Sequence, residues 1–196
     1  ESDKSYYATV KLGFSTDTDD ALGTIIETSG NLPTEEHTHK VLNSFIGKSL
    51  QMAPFFFFFN HKGKPLYKYA SVGDLFSIPP REINIFSIKD FNFDHDECSF
   101  FIHCSKGTYI RSIARDLGKK LGCGAHLSGL KRVSQGTFNI NQALNTKEVK
   151  IKDLISIEDT FKEFSAIKLQ NDQLKIFLNG GKLKNINCED NDYRIY

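Results

Sequence analysis

Residues 104–133 concentrate the residue types that could bind an anionic ligand. The stretch holds seven cations against a single acid, Asp116: Lys106, Arg111, Arg115, Lys119, Lys120, Lys131 and Arg132. A small-residue turn at 105–108 precedes a predicted helix, so backbone N–H groups, the Tyr109 ring and cations meet at one helix start. RNA, which carries both phosphates and stackable bases, is a ligand class that fits this combination.

Taken singly, these residues also have ordinary structural explanations. Arg111 lies in the first turn of the helix, where its charge opposes the helix dipole, so we expect a specific partner for it, such as a buried carboxylate. By composition alone, Tyr6, Tyr109 and Leu130 would be strand or core residues. The acidic run at 16–20, TDTDD, predicts a solvated loop.

The cysteines and histidines give no metal motif. The chain has four cysteines: Cys98, Cys104, Cys123 and Cys188. None forms a C-x-x-C pair, and their spacing to His103 and His126 fits no standard zinc finger. We therefore predict no metal site, structural roles for both histidines, and free buried thiols in a reducing, cytoplasmic setting.

Composition places the chain among ordinary globular proteins. Its 196 residues are 39% hydrophobic and 25% charged, and the net charge is only +1, so nucleic-acid binding would have to come from local clustering. This length fits one full domain with a small appendage. The longest apolar run, 55–59, is far shorter than the ~18 residues of a membrane span, so we expect no membrane segment.

Hydrophobic periodicity predicts an α+β fold with a mixed, largely antiparallel sheet and flanking helices. In the first strand, Tyr6, Ala8, Val10 and Leu12 share one face. Gly13 to Gly23 predicts a loop or hairpin connection. Predicted strands cover 6–12, 51–60, 82–91, 98–103 and 125–137, and predicted helices cover 33–47, 64–71, 108–121, 145–164 and 172–178.

Both ends of the chain interrupt a pattern. Glu1 leads straight into an alternating strand without an initiator methionine, and 193–196 stops within a β-type pattern. From these two features we expect a chain that has been shortened at both ends.

Three segments resemble the bacterial tRNA pseudouridine-55 synthase (TruB-type) family: SDKSYYATVKLGFSTDTDDALG at 2–23, GKPLYKYA at 63–70, and HCSKGTYIRSIARDLGKKLGCGAHLSGLKR at 103–132. The third is the most specific, because the RNA-guided archaeal and eukaryotic relatives share GTYIR without the cysteine-containing flanks. The resemblance implies a pseudouridine synthase catalytic domain over 1–164. It further implies that 165–196 begins a small, β-rich, PUA-like RNA-binding tail.

The resemblance also implies a reaction and a partner. Such enzymes isomerise one uridine in the T-loop of tRNA to pseudouridine, after flipping the base out of the folded loop. They need no metal or cofactor. The implied partner is the tRNA T-stem-loop, with no obligatory protein partner and a monomeric chain.

Site residues follow from the matched positions. Tyr6 would stack on the flipped base and act in proton removal at C5, and Arg111 would pair with the catalytic aspartate. Tyr109 and Leu130 would line the uridine pocket. The resemblance implies phosphate contacts or scaffold roles for four cations: Lys106, Arg115, Lys131 and Arg132.

The chain departs from the family pattern in two places. No G-[TA]-L-D-P motif, which carries the family's catalytic aspartate, occurs in the 196 residues, so we expect no turnover by this chain alone. Asp17, Asp19 and Asp20 lie in a stretch that the family has besides its nucleophile, and they are not assigned that role. In the Phe55–Phe59 run, Phe57 and Phe58 stand where the family has a small pair, and the five phenylalanines put bulk on both strand faces.

Two alternatives stay open at this point. A non-catalytic tRNA-binding or tRNA-folding module would keep the basic face without the chemistry. An RNA-guided rRNA-modifying relative would need additional protein partners, and the bacterial form of the 103–132 string argues against it.

Overall fold

The computed structural model describes residues 2–54, 60–61, 64–65, 79–183, 186, 188–189 and 191–196. The chain divides into two compact units, one up to Ala143 and one from Leu144 onward. The predicted boundary at 164/165 lies within the second unit. As a boundary between a catalytic domain and a PUA-like tail, it stays a prediction.

The first unit is an antiparallel sheet with helices. In chain order its elements are β1 (Lys4–Leu12), β2 (Phe14–Thr16), β3 (Ile25–Thr28), α1 (Glu35–Asn43), β4 (Gly47–Gln51), β5 (Asn60–His61), β6 (Lys64–Pro65), β7 (Arg81–Asp94), β8 (Glu97–Cys104), α2 (Ile110–Leu121), β9 (Ala125–Gln135) and β10 (Phe138–Asn139). The helix start predicted at Thr34 is confirmed, because the Thr34 hydroxyl accepts a hydrogen bond from the His37 backbone N–H at 3.3 Å.

Six strands form the main sheet in the order β10-β9-β1-β8-β7-β4. Every pairing between them in the described residues is antiparallel. Fully buried and partly buried residues alternate along β8, as period-2 hydrophobicity predicts. β2 and β3 pair as a hairpin, which agrees with the connection predicted at 13–23. The predicted α+β class is confirmed.

One face of the sheet carries the hydrophobic core. Ala8, Val10 and Leu12 of β1 are buried there, as their alternation predicts, and Tyr6 packs against the same cluster. α2 covers this face with an apolar stripe of helical spacing: Ile110, Ile113, Ala114 and Leu117. The helix ends at Gly122, whose left-handed φ of 72° favours glycine.

The second unit has shorter elements. They are a 3-10 turn (Ile151–Asp153), α3 (Ile157–Thr160), β11 (Ala166–Ile167), α4 (Asn171–Leu178) and β12 (Arg194–Ile195), with β11 and β12 paired in parallel. The helix predicted over 145–164 is wrong, because its apolar residues stay exposed, and a helix without a buried face has little to stabilise it. Nowhere in the described part of the chain is a helix long and apolar enough to cross a membrane.

Two predictions around β4 need correction. Of the strand predicted over 51–60, Gln51 is the last residue of β4, which begins earlier, at Gly47, and residues 52–54 are not in a strand. Pro54 has no N–H to donate to a sheet. Lys64–Pro65 pairs with Asn60–His61 rather than beginning a helix. The Phe55–Phe59 run and the remainder of the predicted 64–71 helix lie outside the described residues.

The cysteines differ in their access to solvent. Cys98, Cys104 and Cys123 are buried, whereas Cys188 is exposed, which corrects the prediction that all the thiols are buried. Burial raises the pKa of Cys98 to about 12 and that of Cys104 to about 11.

With Ellman's reagent at about pH 8 we expect one thiol to react quickly and the buried ones only after denaturation, since the thiolate is the nucleophile. Rapid reaction of more than one native thiol would contradict this burial.

Candidate functional site

The start of α2 is held by a buried amide. The backbone N–H of Tyr109 donates to Oε1 of Gln51 at 2.8 Å, and Nε2 of Gln51 donates to the Tyr109 carbonyl oxygen at 3.1 Å. Gln51 is 3% exposed, so these bonds satisfy its polar atoms while fixing the helix start against the end of β4. The Tyr109 hydroxyl lies 3.5 Å from Nη1 of Arg81.

Arg111 has a carboxylate partner. Its Nη1 donates to Oδ2 of Asp20 at 3.0 Å and lies 3.5 Å from the Thr18 carbonyl oxygen. The Arg111 and Asp20 side chains are 26% and 22% exposed, so water screens the pair only partly. The specific partner expected for Arg111 is present and is the partly buried Asp20 carboxylate, whereas the pairing of Arg111 with a catalytic aspartate stays a prediction.

Asp20 is held by other groups of its own loop as well. Its Oδ1 accepts hydrogen bonds from the Thr18 hydroxyl at 2.7 Å and from the Leu22 backbone N–H at 3.1 Å. Burial by itself would raise the pKa of this carboxyl, but the bonds from Thr18, Leu22 and Arg111 outweigh it and lower the pKa. Asp20 is therefore an anion at neutral pH, directed at the start of α2.

The acidic run at 16–20 is not the solvated loop that its polarity predicts. Asp19 is 8% exposed, and its Oδ2 accepts from Nη1 of Arg115 at 3.1 Å. The reason lies far along the chain, because α2 brings Arg111 and Arg115 to this loop from 91 and 96 residues away. A local sequence window cannot show such partners.

Tyr6 lies in the middle of the sheet with known neighbours on both sides. It is opposite Ile102 of β8 and Arg132 of β9, and Ala8 is opposite Leu130. Because residues paired across antiparallel strands point to the same face, Tyr6, Leu130 and Arg132 share the face that α2 covers. Leu130 is 50% exposed, so core packing alone does not account for it.

The Tyr6 hydroxyl is kept neutral. Burial raises its pKa, the nearby Cys104 adds to this effect, and the Arg132 guanidinium opposes it through its charge and a hydrogen bond. At neutral pH the phenol therefore keeps its proton and can donate it to a hydrogen bond.

No metal site is evident in the part of the chain that the structure describes. Within it, no cluster of three or more His, Cys, Asp or Glu side chains is arranged to hold an ion. Nδ1 of His126 lies 2.8 Å from the Phe14 carbonyl oxygen, which confirms the structural role predicted for this histidine.

The predicted site residues thus form two groups on the same face of the sheet. Tyr6, Leu130 and Arg132 lie on β1 and β9, whereas Tyr109 and Arg111 lie at the start of α2. The remaining cations divide differently. Lys106 is exposed in the turn before α2, Lys131 lies opposite Tyr7 on the other face, and Arg115 is engaged by Asp19 and Asp116. For Arg115 these ion pairs favour the scaffold role.

Two family models match the chain. The TruB family pseudouridylate synthase (N terminal domain) model matches residues 1–110, which is more than half of the 196 residues. The tRNA pseudouridylate synthase B C-terminal domain model matches residues 111–169. The chain belongs to the TruB family of pseudouridylate synthases.

Curated TruB relatives are similar over most of the chain. The tRNA pseudouridine synthase B of Francisella philomiragia subsp. philomiragia is 40% identical over 186 residues, and that of Francisella tularensis subsp. novicida is 37% identical over 186 residues. Each similarity covers 89% of this chain and 62% of the relative. The chain therefore spans less than two thirds of the length of these relatives.

Solved structures share the fold of this TruB-family chain. A chain of a Cbf5-Nop10-Gar1 complex gives a TM-score of 0.63 at 19% identity and covers 92% of this chain and 50% of that chain. A chain of an H/ACA RNP bound to a substrate RNA containing 2′-deoxyuridine gives 0.61 at 17% identity, with 92% of this chain and 48% of that chain covered. At these identities the similarity concerns the fold alone.

Two residues of this TruB-family site are missed by sequence reasoning. The sequence could have indicated Asp20, because arginines four residues apart, at 111 and 115, lie on one side of a helix and can pair with adjacent acids at 19 and 20. Nothing in the sequence indicated Gln51, since a glutamine at the end of a strand does not show which backbone its amide will meet.

Proposed function

We propose that this chain is part of a tRNA pseudouridine synthase that isomerises uridine-55 in the T-loop. The observation that carries the proposal is the Arg111–Asp20 ion pair at the start of α2, the helix that packs on the sheet face of Tyr6 and Leu130. The reaction breaks the C1′–N1 bond, rotates the uracil and joins C5 to C1′, while the C5 proton leaves and N1 is protonated. It is an isomerisation, so no electron acceptor enters the balance.

Tyr6 and Leu130 are proposed to hold the flipped uracil. Extruding a base from the folded loop costs a few kcal/mol. Stacking on an aromatic ring returns ~1–3 kcal/mol of this, and Tyr6 offers a half-buried ring for it. Its neutral hydroxyl can also take part in moving the C5 proton. Tyr109 is proposed as a further wall of the pocket.

Arg111 is proposed to orient the nucleophilic carboxylate. Both hydrogen bonds that Arg111 makes in the described part of the chain leave from Nη1. A guanidinium has five N–H donors, so Nε and Nη2 can hold a second carboxylate. Because the 196 residues contain no G-[TA]-L-D-P motif, we propose that this carboxylate comes from outside them.

Phosphate contacts are proposed for Lys106 and Arg132. Lys106 is exposed beside the start of α2, and Arg132 lies next to Tyr6. Lys131 projects from the opposite face, so RNA would have to extend around the sheet to reach it. Arg115 is proposed to act as scaffold. Such phosphate contacts set affinity and its salt dependence rather than sequence choice.

The test is a product assay with the complete gene product, including whatever residues precede Glu1 in the gene. The substrate is a T-stem-loop RNA, and a matched RNA with cytidine at position 55 is the control. We expect carbodiimide-dependent reverse-transcription stops immediately 3′ of position 55 in the first RNA, with no other protein added. The absence of product, with micromolar binding that weakens steeply with salt, would instead support a non-catalytic tRNA-binding module.

A further inference from the structure

The loop that carries Asp20 is attached to α2 by a second ion pair. Arg111 and Arg115 lie four residues apart, which places them on the same side of the helix. They face adjacent acids: Arg111 pairs with Asp20, and Arg115 pairs with Asp19 at 3.1 Å. The second pair is the more buried of the two, with side chains 17% and 11% exposed.

Arg115 joins three parts of the first unit. Nη1 donates to Asp19 of the loop, Nη2 donates to the Met52 carbonyl oxygen at 3.1 Å, and Nε donates to Asp116 of its own helix at 2.9 Å. The Ser112 hydroxyl donates to the same Met52 carbonyl oxygen at 2.8 Å. The planar, rigid arrangement of guanidinium donors suits such a three-way contact, whereas a lysine has one nitrogen to share.

The backbone of the loop turns the Asp19 side chain toward α2, where Arg115 holds it. Asp19 has a left-handed φ of 62°, a conformation that aspartate adopts more readily than most residues other than glycine. Its carbonyl oxygen accepts from the Leu127 N–H at 3.0 Å, and the Leu127 carbonyl oxygen accepts from the Ala21 N–H at 3.0 Å. The segment thus docks on β9 with Asp19 turned toward α2.

Stability alone does not explain the buried pair. Burial raises the pKa of Asp19 and the Asp116 charge adds to this, so the pKa stays raised despite the opposing charge and hydrogen bond of Arg115. Pairing therefore does not fully compensate the desolvation of this carboxylate, which is typical of buried ion pairs that add little net stability. The neighbouring Asp20, in contrast, has a lowered pKa. What the Asp19–Arg115 contact supplies is geometry.

We propose that Arg115 is a positioning residue of the candidate active site: by holding Asp19 it places the adjacent Asp20 carboxylate against Arg111. The catalytic meaning of this placement rests on the proposed function, whereas the placement itself does not. Asp19 and Asp20 are consecutive, so a shift of one moves the other. Arg111 would then lose the partner that keeps its guanidinium oriented.

The test compares two isosteric variants of the same loop in the complete gene product. Asp19→Asn removes the charge that Arg115 holds, and asparagine tolerates the left-handed backbone at this position. Asp17→Asn is the control, because Asp17 accepts only a backbone bond, from the Thr24 N–H at 2.8 Å, among the described contacts. The readout is the ¹⁵N NMR signal of the Arg111 guanidinium, whose hindered rotation reports its pairing with Asp20.

We expect the separate guanidinium signals of Arg111 to merge in Asp19→Asn, because the group rotates more freely. In Asp17→Asn they are expected to stay as in the unchanged protein. Arg115→Lys, which keeps the charge but not the three-way contact, is expected to give an intermediate result. Unchanged Arg111 signals in Asp19→Asn and Arg115→Lys would overturn the proposal. So would an equal loss in Asp17→Asn, which would show a loop that is sensitive to any change.

Kinetics separate positioning from general damage. With T-stem-loop RNA, Asp19→Asn is expected to lower kcat about tenfold and leave KM within about twofold, because a misplaced group affects the reacting geometry rather than RNA binding. A change confined to KM would contradict the positioning role. If no variant and no unchanged protein forms pseudouridine, the proposed function fails, while the NMR comparison still decides whether Arg115 positions Asp20.

Discussion

Replacing Arg111 by alanine is expected to slow pseudouridine formation by about 10²-fold or more, while the Kd for tRNA stays within about twofold. The reason is the kind of partner that Arg111 has. In the described residues its Nη1 meets the Asp20 carboxylate and the Thr18 carbonyl oxygen, which are protein groups and not RNA. Single-turnover rates and filter binding on the same protein preparation measure the two quantities separately.

The control for Arg111→Ala is Lys40→Ala, which removes one exposed positive charge from the end of α1. This control tests whether lost charge by itself weakens tRNA binding. An equal loss of rate and affinity in Arg111→Ala would identify Arg111 as a phosphate contact, and the slope of log K against log salt would then fall by about one. An unchanged rate would remove Arg111 from the chemistry.

Local patterns predicted the parts of the fold in which each residue's environment follows from its neighbours in sequence. The alternation of Tyr6 to Leu12 gave the buried face of β1, and Thr34 gave the start of α1. The stretch at 145–164 shows the limit. Its spacing of apolar residues is helical, but Ile151 and Ile157 remain exposed, so no burial supports a long helix. Apolar residues at helical spacing form a stable helix only where another surface of the protein covers them.

The sequence pointed to some residues of the candidate site, but not to Asp20 or Gln51 and not to the contacts between them. Helix-dipole reasoning gave Arg111 a specific partner such as a carboxylate, and the family resemblance gave Tyr6 and Leu130. The topology of the fold, however, determines which carboxylate Arg111 meets and which residues lie beside Tyr6. β9 shifts register against β1 twice, between Ser5 and Tyr6 and between Thr9 and Val10, and these shifts place Leu130 and Arg132 on the Tyr6 face. The period-2 alternation of hydrophobic residues in the sequence does not show where such register shifts occur.

Gly118→Ala is expected to lower the free energy of unfolding by about 2 kcal/mol or more, and the Tm by about 4–8 °C. A Cβ at this position would lie 2.2 Å from the Ala125 backbone nitrogen and 2.4 Å from the Gly124 carbonyl carbon. Both are backbone atoms, so no side chain can rotate away. The bend at 122–124 also folds back onto Gly118, whose carbonyl oxygen accepts from the backbone N–H groups of Cys123 and Gly124, each at 3.2 Å.

Gly118→Ala has two opposing effects on the free energy of unfolding. Their sizes decide whether the variant is less or more stable. Alanine stabilises a helix interior by about 1 kcal/mol over glycine. Overpacking costs about 1–3 kcal/mol and occasionally more, and a Cβ 2.2 Å from a backbone nitrogen places Gly118→Ala at about 3 kcal/mol or above. The cost of the clash is larger than the gain in helix propensity, because α2 would have to move away from β9. Gly30→Ala is the matched control, since a Cβ there meets nothing within 4 Å. Urea unfolding of both variants measures the difference, and a Gly118→Ala protein as stable as Gly30→Ala would show that α2 does not pack this closely on β9.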